Sequence, residues 1–520
     1  MIVLSLYLFG RSFSEVQQSA ANPEVSEGRQ LAVTHCSSCH TFPEPTLLPK
    51  KLWGESVLPA MAPHLGIFRH KFTTYPTEND PYLPADYYPE TPRLTTSEWQ
   101  KILNYYEEAA PETLQRPHRE NKIITDSFSF TALSPGPVSA ELPLVTAARF
   151  DTLNQQLYAA DANMKKLLVF DRDLTLIEEL NAASPIADIR SAGKTSGHGS
   201  EHLFVTYMGH LLPSNAPAGS VKDLRFDREN GEYQSSSTIA DSLVRPVESR
   251  LADLNQDGKR DLLISEFGHR TGALFWLKKR ENGRYSGAKN MLIEMPGCIE
   301  TQLVDYNRDG LTDIAALCTQ ADQAIYLFMN RDHGKFRKKK LLQFPITYGS
   351  SSFQMVDFKD DGNLDILYTS GDNADYSPVL KPYHGVYIYI NDGHNGFSRE
   401  WFYPLHGAYD AKTSDFNHDG KLDIAAISFY ADFENRPEEG FVIFKNDGLL
   451  SFTAIHHPAA SDGRWISLDI ADWNSDGYAD ILLGNFFKDL FSTWSENPEK
   501  NGGHPPFLLL QNNRGLQHRR

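Results

Sequence analysis

Two cysteines and a histidine near the start of the chain have the types and spacing of a cofactor attachment site. They form the pentapeptide Cys36-Ser-Ser-Cys39-His40. Two thiols at this spacing can add to the two vinyl groups of one porphyrin, and the adjacent histidine can ligate its iron. A zinc site would need two more ligands at matching spacing, and a redox dithiol would need a βαβ context. The pentapeptide therefore predicts one covalently bound haem c.

The second axial ligand of such an iron has three candidates downstream of the motif. Met61 lies in a proline-flanked segment, 21 residues after His40. A thioether is a common partner of histidine and raises the reduction potential, so Met61 is the favoured ligand. His64 and His70 are rivals, and ligation by two histidines would lower the potential. A methionine that only packs the core stays an alternative for Met61.

A second set of chemically capable residues is an acidic nine-residue loop that occurs five times. In the first copy, Asp253 to Asp261, side-chain oxygens stand at positions 1, 3, 5 and 9, and Gly258 permits a sharp turn. Hard oxygen ligands in this number favour calcium over zinc or copper. Ordinary Asp/Asn/Gly turn chemistry would explain one copy but not five in one register.

The calcium ligands predicted from the five copies are side chains of aspartate and asparagine. They are Asp253, Asn255, Asp257, Asp261, Asp305, Asn307, Asp309, Asp313, Asp357, Asp361, Asp365, Asp415, Asn417, Asp419, Asp423, Asp472, Asn474, Asp476 and Asp480. The third copy has Lys359 where the others have asparagine. Because an ammonium repels a cation, we expect that third site to be weak or empty.

The elements that must position the haem motif form a small helical domain at residues 24–112. A helical pattern runs from Glu24 into the motif, and a second helix begins at the Thr95–Glu98 capping signals and ends before Pro111. The order of haem motif, methionine-bearing loop and closing amphipathic helix resembles a small class I cytochrome c. The resemblance implies an all-α haem domain, preceded by a signal peptide or tether at residues 1–23.

The acidic loops lie in a repeat that predicts a β-propeller at residues 122–520, after a linker at 113–121. Their first aspartates stand 52, 52, 58 and 57 residues apart, and each repeat shows four candidate strands, as in a propeller blade. Two earlier blades without the loop are predicted around Arg149–Asn154 and Ile186–Arg190. The fold class is therefore mainly β, a seven-bladed propeller, which we expect residues 124–132 to close as the outer strand of the last blade.

The repeated loops resemble the FG-GAP/VCBS repeats of integrin-α-like propellers over about residues 140–515. This resemblance implies seven blades with calcium in the loops between first and second strands. Four shorter stretches resemble bacterial exported proteins that join a haem c domain to such a propeller; they are Pro382–Gly385, His406–Tyr409, Pro437–Phe441 and Gly463–Trp465.

The net charge, the apolar run at the start and the cysteines indicate which class of partner and which cellular compartment to expect. The formal net charge is −17, from 50 basic and 67 acidic residues, which argues against a nucleic-acid partner. The apolar run at residues 2–9 fits an export signal and is too short to span a bilayer, and no later segment predicts a transmembrane helix. Cys298 and Cys318 would lie nearly opposite in a hairpin, so a disulfide and two separate buried thiols both stay open.

These features favour an exported electron-transfer protein, periplasmic or extracellular, more than an enzyme. Its haem would exchange electrons with a redox partner protein, and its propeller face would dock a polysaccharide or a cell-surface protein. The long aromatic-rich insertions at 369–384, 428–439 and 485–505 are the expected docking loops. Two alternatives remain: a propeller dehydrogenase, for example one that oxidises sugars, which passes electrons to its haem, and an adhesion or scaffold protein with a haem sensor.

Overall fold

The fold comes from a computed structural model. It describes residues 23–115, 117, 122–126, 128–139, 141–194, 201–227, 232–320, 322–373, 379–487 and 504–514. The predicted export segment lies outside the described residues, apart from Pro23, as do most of the linker at 113–121 and most of the insertion at 485–505.

The front domain is helical, as the sequence predicts, with one short hairpin. Its α-helices are α1 to α4, in order Pro23–Cys36, Lys50–Leu52, Leu58–Met61 and Thr96–Ala109. Its other elements are the 3-10 turns Pro45–Leu47 and Ala62–Leu65, the π-helical turn Trp53–Val57, and the hairpin strands Arg69–His70 and Thr73–Thr74. Within the described residues, no helix is both long and apolar enough to cross a membrane.

The first and last of these helices pack closely because of one glycine and one cap. Thr95 and Glu98 form a reciprocal capping box at the start of α4, which fixes where that helix begins. Gly28 in α1 faces α4, and a Cβ there would lie 2.2 Å from the carbonyl oxygen of Lys101. Only glycine allows this approach, which places the Cys36–His40 motif at the end of α1 against the buried face of α4.

The rest of the described chain forms seven blades of antiparallel strands, which confirms the predicted seven-bladed propeller. Blades 1 and 2 comprise Val145–Asp151, Gln156–Asp161, Lys166–Phe170, Leu176–Asn181 and Ile186–Lys194, Glu201–Tyr207, Gly219–Asp227, Glu232–Leu243. Blades 3 and 4 comprise Pro246–Ala252, Asp261–Glu266, Ala273–Leu277, Asn290–Ile293 and Cys298–Val304, Asp313–Cys318, Ala324–Asp332, Lys335–Gln343.

Blade 5 comprises Ser350–Val356, Asp365–Ser370, Gly385–Asn391 and Phe397–Pro404. Blade 6 comprises Ala408–Ser414, Asp423–Ser428, Phe441–Gly448 and Ser451–His456, and blade 7 begins with Trp465–Ala471, Asp480–Asn485 and Phe507–Asn512. The 3-10 turn Pro437–Gly440 lies between the second and third strands of blade 6, and the 3-10 turn Pro458–Asp462 joins blade 6 to blade 7. The second strand of each loop-bearing blade is buried at every position, because each sheet packs between two others.

The ring is closed by chain from before blade 1, largely as predicted. Phe130–Leu133 pairs antiparallel with Phe507–Asn512 and completes blade 7. The prediction is wrong for the start of the segment, because Ile124–Thr125 pairs in parallel with Ser451–His456 and adds a fifth strand to blade 6. One segment therefore joins two neighbouring blades.

Blade 4 also settles the alternative left open for its two cysteines. Cys298 and Cys318 are directly opposite in the register of the first and second strands, and they form a disulfide. The disulfide therefore links the start of the first strand of blade 4 to the end of its second strand.

The front domain sits on the propeller face opposite the acidic loops. The acidic loops join first to second strands, whereas the contacts come from the loops between second and third strands. The Tyr383 hydroxyl donates to the Leu47 carbonyl at 2.9 Å, and Arg270 Nε donates to Glu78 Oε1 at 2.7 Å. Asn215 Nδ2 donates to Asp80 Oδ2 at 2.8 Å. Three blades therefore hold the front domain over the propeller axis.

Candidate functional site

A cavity of about 900 Å³ lies where the front domain meets the propeller axis. Cys36, Cys39 and His40 line it, and so does Met61 at the end of α3. All four residues proposed from sequence for the haem are thus brought to one space, although they come from two separate helices and the turn between them. All seven blades contribute to the opposite wall.

His40 is held so that one ring nitrogen remains able to bind a metal. Its Nδ1 lies 2.8 Å from the carbonyl oxygen of Thr41. Because a carbonyl only accepts hydrogen bonds, Nδ1 carries the proton and donates. The lone pair therefore resides on Nε2, the form in which imidazole ligates metals.

The two cysteines are free thiols with different environments. Cys36 is half-buried and Cys39 is exposed. Burial, and secondarily the neighbouring Cys39, raises the pKa of the Cys36 thiol to about 11. The Cys36 thiol is therefore protonated at neutral pH and forms part of an apolar wall.

The candidates for the second axial ligand are reduced from three to two by the geometry. Met61 and His64 line the cavity. His70 does not line the cavity. Its side chain is buried, and its Nε2 lies 2.9 Å from Gln100 Oε1. Burial, followed by the charge of Arg270, lowers the pKa of His64, so its imidazole is neutral. Both a thioether and a neutral imidazole thus remain available.

The front-domain walls of the cavity are large apolar side chains whose polar atoms are satisfied elsewhere. Leu48, Trp53, Leu58, Trp99 and Tyr106 line it and are buried. Trp99 Nε1 donates to the Tyr75 hydroxyl at 3.0 Å, and the Tyr106 hydroxyl donates to the Pro43 carbonyl at 2.8 Å. The walls therefore offer apolar surface that suits a planar macrocycle, and the residues present fit a haem attached at the motif.

The propeller wall carries charged pairs that the sequence reading missed. Asp188 lies 3.0 Å from Arg190, Glu248 lies 2.6 Å from Arg250, and Asp410 lies 3.2 Å from Lys412. The two residues of each pair are two positions apart on the first strand of their blade, so their side chains point to the same face of the sheet. The signal that could have revealed them is this acid-x-base pattern, repeated in the first strands of blades 2, 3 and 6.

Glu300 on blade 4 has no basic residue two positions later on its own strand, because Gln302 stands where blades 2, 3 and 6 have a base. Burial, then the charges of Asp410 and Glu248, raises the pKa of Glu300 to about 8. Its carboxyl group is therefore largely protonated at neutral pH, beside the cavity that it lines.

The five acidic loops share one backbone geometry. The sixth residue of each is a glycine with positive φ, from 80° to 92°, and the fourth residue also has positive φ. In the first loop, Asp253 Oδ1 and Asn255 Oδ1 both accept the Asp257 N–H, at 3.1 and 3.0 Å. Sharing one donor brings these two oxygens together, as a cation site requires.

The ninth aspartate has a structural role that the sequence reading did not foresee. Asp261 is fully buried; its Oδ2 accepts the Leu254 N–H at 3.2 Å and its Oδ1 accepts the Lys279 N–H at 2.8 Å. Equivalent pairs of backbone bonds form at Asp313, Asp365 and Asp480. The ninth residue therefore ties the start of the loop to the end of the third strand, whether or not it also ligates a cation.

The fifth aspartate distinguishes the loops from one another. Lysine ammonium groups lie 3.0 to 3.1 Å from this carboxylate in the first, third and fourth loops, through Lys278, Lys359 and Lys421. In the second and fifth loops, the neighbouring asparagine amide donates to Asp309 or Asp476 instead. Within the described residues no group of three or more His, Cys, Asp or Glu side chains could hold a metal ion, so calcium stays a prediction.

Comparison with protein families identifies the repeat type of part of the propeller. Residues 305–368, which include two acidic loops, match the family described as FG-GAP-like repeat. No curated protein matches the chain significantly in sequence. The chain therefore contains an FG-GAP-like repeat within a seven-bladed β-propeller.

The solved structures that the chain resembles have low sequence identity to it. The Neurospora crassa Pan2 WD40 domain has 11% identity and a TM-score of 0.43, covering 76% of this chain and 98% of that one. BBS1N in complex with ARL6DN has 10% identity and a TM-score of 0.45, covering 75% and 98%. A luciferin-regenerating enzyme has 10% identity and a TM-score of 0.36, covering 74% and 95%.

Proposed function

We propose that the chain is an exported electron-transfer protein that carries one c-type haem and docks through its propeller. The observation that carries this proposal is the cavity at the domain junction. It collects both cysteines of the attachment motif, the adjacent histidine and Met61, and its front-domain wall is apolar. A propeller is itself a fold suited to binding other proteins.

The residues that would hold the haem have separate tasks. Cys36 Sγ and Cys39 Sγ would form the thioether bonds, and His40 Nε2 would be the first axial ligand. Met61 is the preferred second ligand, with His64 as the rival. The bound haem would supply a centre that gains and loses one electron. The Thr41 carbonyl keeps His40 oriented, and Trp53 and Trp99 would form part of the apolar wall beside the haem.

Export and calcium are parts of the same proposal. The Cys298–Cys318 disulfide is what an oxidising compartment such as the periplasm or the extracellular space would permit. The convergent oxygens of Asp253 and Asn255 suit a hard cation, and bound calcium would offset repulsion among carboxylates in the loop. Calcium would thereby stiffen the face opposite the haem rather than take part in electron transfer.

Docking to a redox partner protein, or to a polysaccharide or cell-surface protein, would use surfaces that the front domain leaves open. The loop that carries Tyr383 is already engaged with the front domain. We therefore propose that a redox partner protein binds near the haem-bearing edge of the front domain, where exposed Cys39 lies, and that a polysaccharide or cell-surface protein binds the propeller. Short distance to the haem edge is what electron exchange requires.

The test is a reduced-minus-oxidised absorption spectrum of the protein produced in cells that attach c-type haem. A sharp ferrous band that survives denaturation, and is lost in the Cys36→Ser Cys39→Ser double variant, is the expected result. Absence of that band from the folded wild-type protein would refute the haem.

The axial ligand needs its own comparison. Met61→Leu should lower the reduction potential, since a thioether ligand raises it, whereas His64→Ala should leave the potential nearly unchanged. Met291→Leu is the matched control, because Met291 is 46% exposed and lies outside the cavity lining. A potential altered by His64→Ala and not by Met61→Leu would assign the ligand to His64.

A further inference from the structure

The outer strand of blade 4, Lys335–Gln343, carries five basic residues in its first six positions and no acidic residue. We call it the basic strand; its bases are Lys335, Arg337, Lys338, Lys339 and Lys340. We propose that the basic strand binds a linear acidic polysaccharide, one that bears carboxylate or sulfate groups along its sugars. This surface narrows the docking part of the proposed function, on which the inference rests, and it does not depend on the haem.

The charge of the basic strand is opposite to that of the chain as a whole. The formal net charge is −17, so most of the surface would repel a polyanion. The outer strands Leu176–Asn181 and Glu232–Leu243 carry acidic residues and no Lys or Arg, and in Phe397–Pro404 Glu400 offsets Arg399. The other outer strands carry no charged side chain. Lysines that only protect a sheet edge from pairing with another chain would be expected on those strands too.

Most of these charges are available to an external anion. Lys335, Arg337 and Lys338 are exposed, and like Lys339 they form no ion pair with the residues that the structure describes. Lys340 is paired, with its Nζ 2.5 Å from Asp322 Oδ2. An exposed ammonium or guanidinium loses little hydration when it meets an anion, so binding at these positions carries only a small desolvation cost.

The backbone holds the charges in a fixed line. The third strand of the blade pairs with the basic strand from Ala324 opposite Gln343 to Asp332 opposite Lys335. The turn between them is anchored to blade 3, because His333 Nδ1 donates to the Asn255 carbonyl at 3.2 Å. Side chains two residues apart on a strand are about 7 Å apart on one face, so the bases extend over about 17 Å. A line of this kind suits a polymer with repeated charges better than a compact ligand.

The remaining chemistry of the basic strand distinguishes a polysaccharide from other polyanions. Its apolar residues Phe336, Leu341 and Leu342 are half-buried, and none of them is a large exposed hydrophobic side chain. An interfacial membrane site adds apolar side chains that enter the lipid, and a site for single-stranded nucleic acid adds aromatic rings on which bases stack. Protein interfaces have an apolar centre. A polymer of anionic groups and hydroxyls needs only the lysine and arginine donors.

The test is binding of the intact protein to immobilised polygalacturonate and dextran sulfate, with uncharged dextran as the neutral comparison, followed by biolayer interferometry. We expect saturable binding to at least one acidic polymer, none to dextran, and weaker binding as salt rises, because salt screens exposed charges. The Lys335→Gln Arg337→Gln Lys338→Gln variant should bind about tenfold more weakly at low salt, since it loses three exposed charges that each contribute a few-fold.

Two control variants separate position from net charge. The charge-preserving variant should bind as the wild type does; it is Lys335→Arg Arg337→Lys Lys338→Arg. The matched control removes the same charge from exposed positions of the front domain and should also leave binding unchanged; it is Lys51→Gln Arg69→Gln Lys71→Gln. All of these positions are exposed, so thermal unfolding should be nearly the same for every variant.

The inference is overturned if neither acidic polymer binds the wild type, or if the matched control loses as much binding as the basic-strand variant. Tighter binding to poly-glutamate, to phosphatidylglycerol vesicles or to single-stranded DNA would also overturn it, in favour of a protein, a membrane or a nucleic acid. Polymer binding that persists in the glutamine variant would reject the basic strand and leave polysaccharide docking to another part of the propeller. The haem spectrum is measured separately, so failure here and failure of the haem proposal are distinguishable.

Discussion

Replacing Phe130 by alanine should destabilise the propeller strongly, because that residue belongs to the strand that closes the ring. Phe130 is 4% exposed and pairs with Asn512 on blade 7. Its ring meets Phe416 of blade 6 edge to face at 5.7 Å, and it stacks with Phe128 at 6.1 Å. The side chain therefore bridges the last two blades from a segment that precedes the first.

The expected loss is about 3–5 kcal/mol in the free energy of unfolding, the usual cost of removing a buried phenylalanine side chain. Phe72→Ala is the matched control, since Phe72 is 98% exposed and its removal should cost less than about 0.5 kcal/mol. Urea unfolding followed by circular dichroism measures both. A loss below about 1 kcal/mol for Phe130→Ala would show that the segment does not close the ring in solution.

Three further predictions concern the front domain, the acidic loops and the cavity. Gly28→Leu should prevent α1 from packing on α4 and abolish haem attachment. Gly54→Ala is the control and should be tolerated, because a Cβ there meets nothing within 4 Å. The haem content per chain measures both effects. Asp309→Asn should reduce bound calcium, measured by elemental analysis after dialysis, more than Asp361→Asn, because Lys359 already pairs with Asp361. Glu300 binds its proton more tightly in the folded protein than in the unfolded chain. The stability of the wild type relative to Glu300→Gln should therefore fall as pH rises from about 5 to about 8. Thermal unfolding across this range measures the difference, and equal pH profiles for the two proteins would contradict the prediction.

The repeated loops and their spacing were enough to predict the seven blades. Each loop carries its own turn chemistry, and strands that alternate with such loops at a constant period have few other arrangements. The helix that carries Cys36 and the capped helix that begins at Thr96 were predictable for the same reason, because their signals are local. Closure by residues before blade 1 followed from the missing outer strand of blade 7.

The sequence alone could not predict how segments far apart in the chain pack against each other. Placing the haem motif over the propeller axis depends on contacts such as those of Glu78 with Arg270, which lie 192 residues apart. The parallel pairing of Ile124 depends on how that segment crosses between blades, and two residues hold too little pattern to predict it. The backbone hydrogen bonds of the ninth aspartate could not be predicted from the sequence, because one of their donors lies just after the distant third strand.

The proposed haem, one per chain, is bound covalently through Cys36 and Cys39. The most direct measurement is the intact mass of the denatured protein after production with c-type haem attachment. The expected mass is that of the chain plus one haem for the wild type, and that of the chain alone for the Cys36→Ser Cys39→Ser variant. A folded wild-type protein whose denatured mass is that of the chain alone would contradict it.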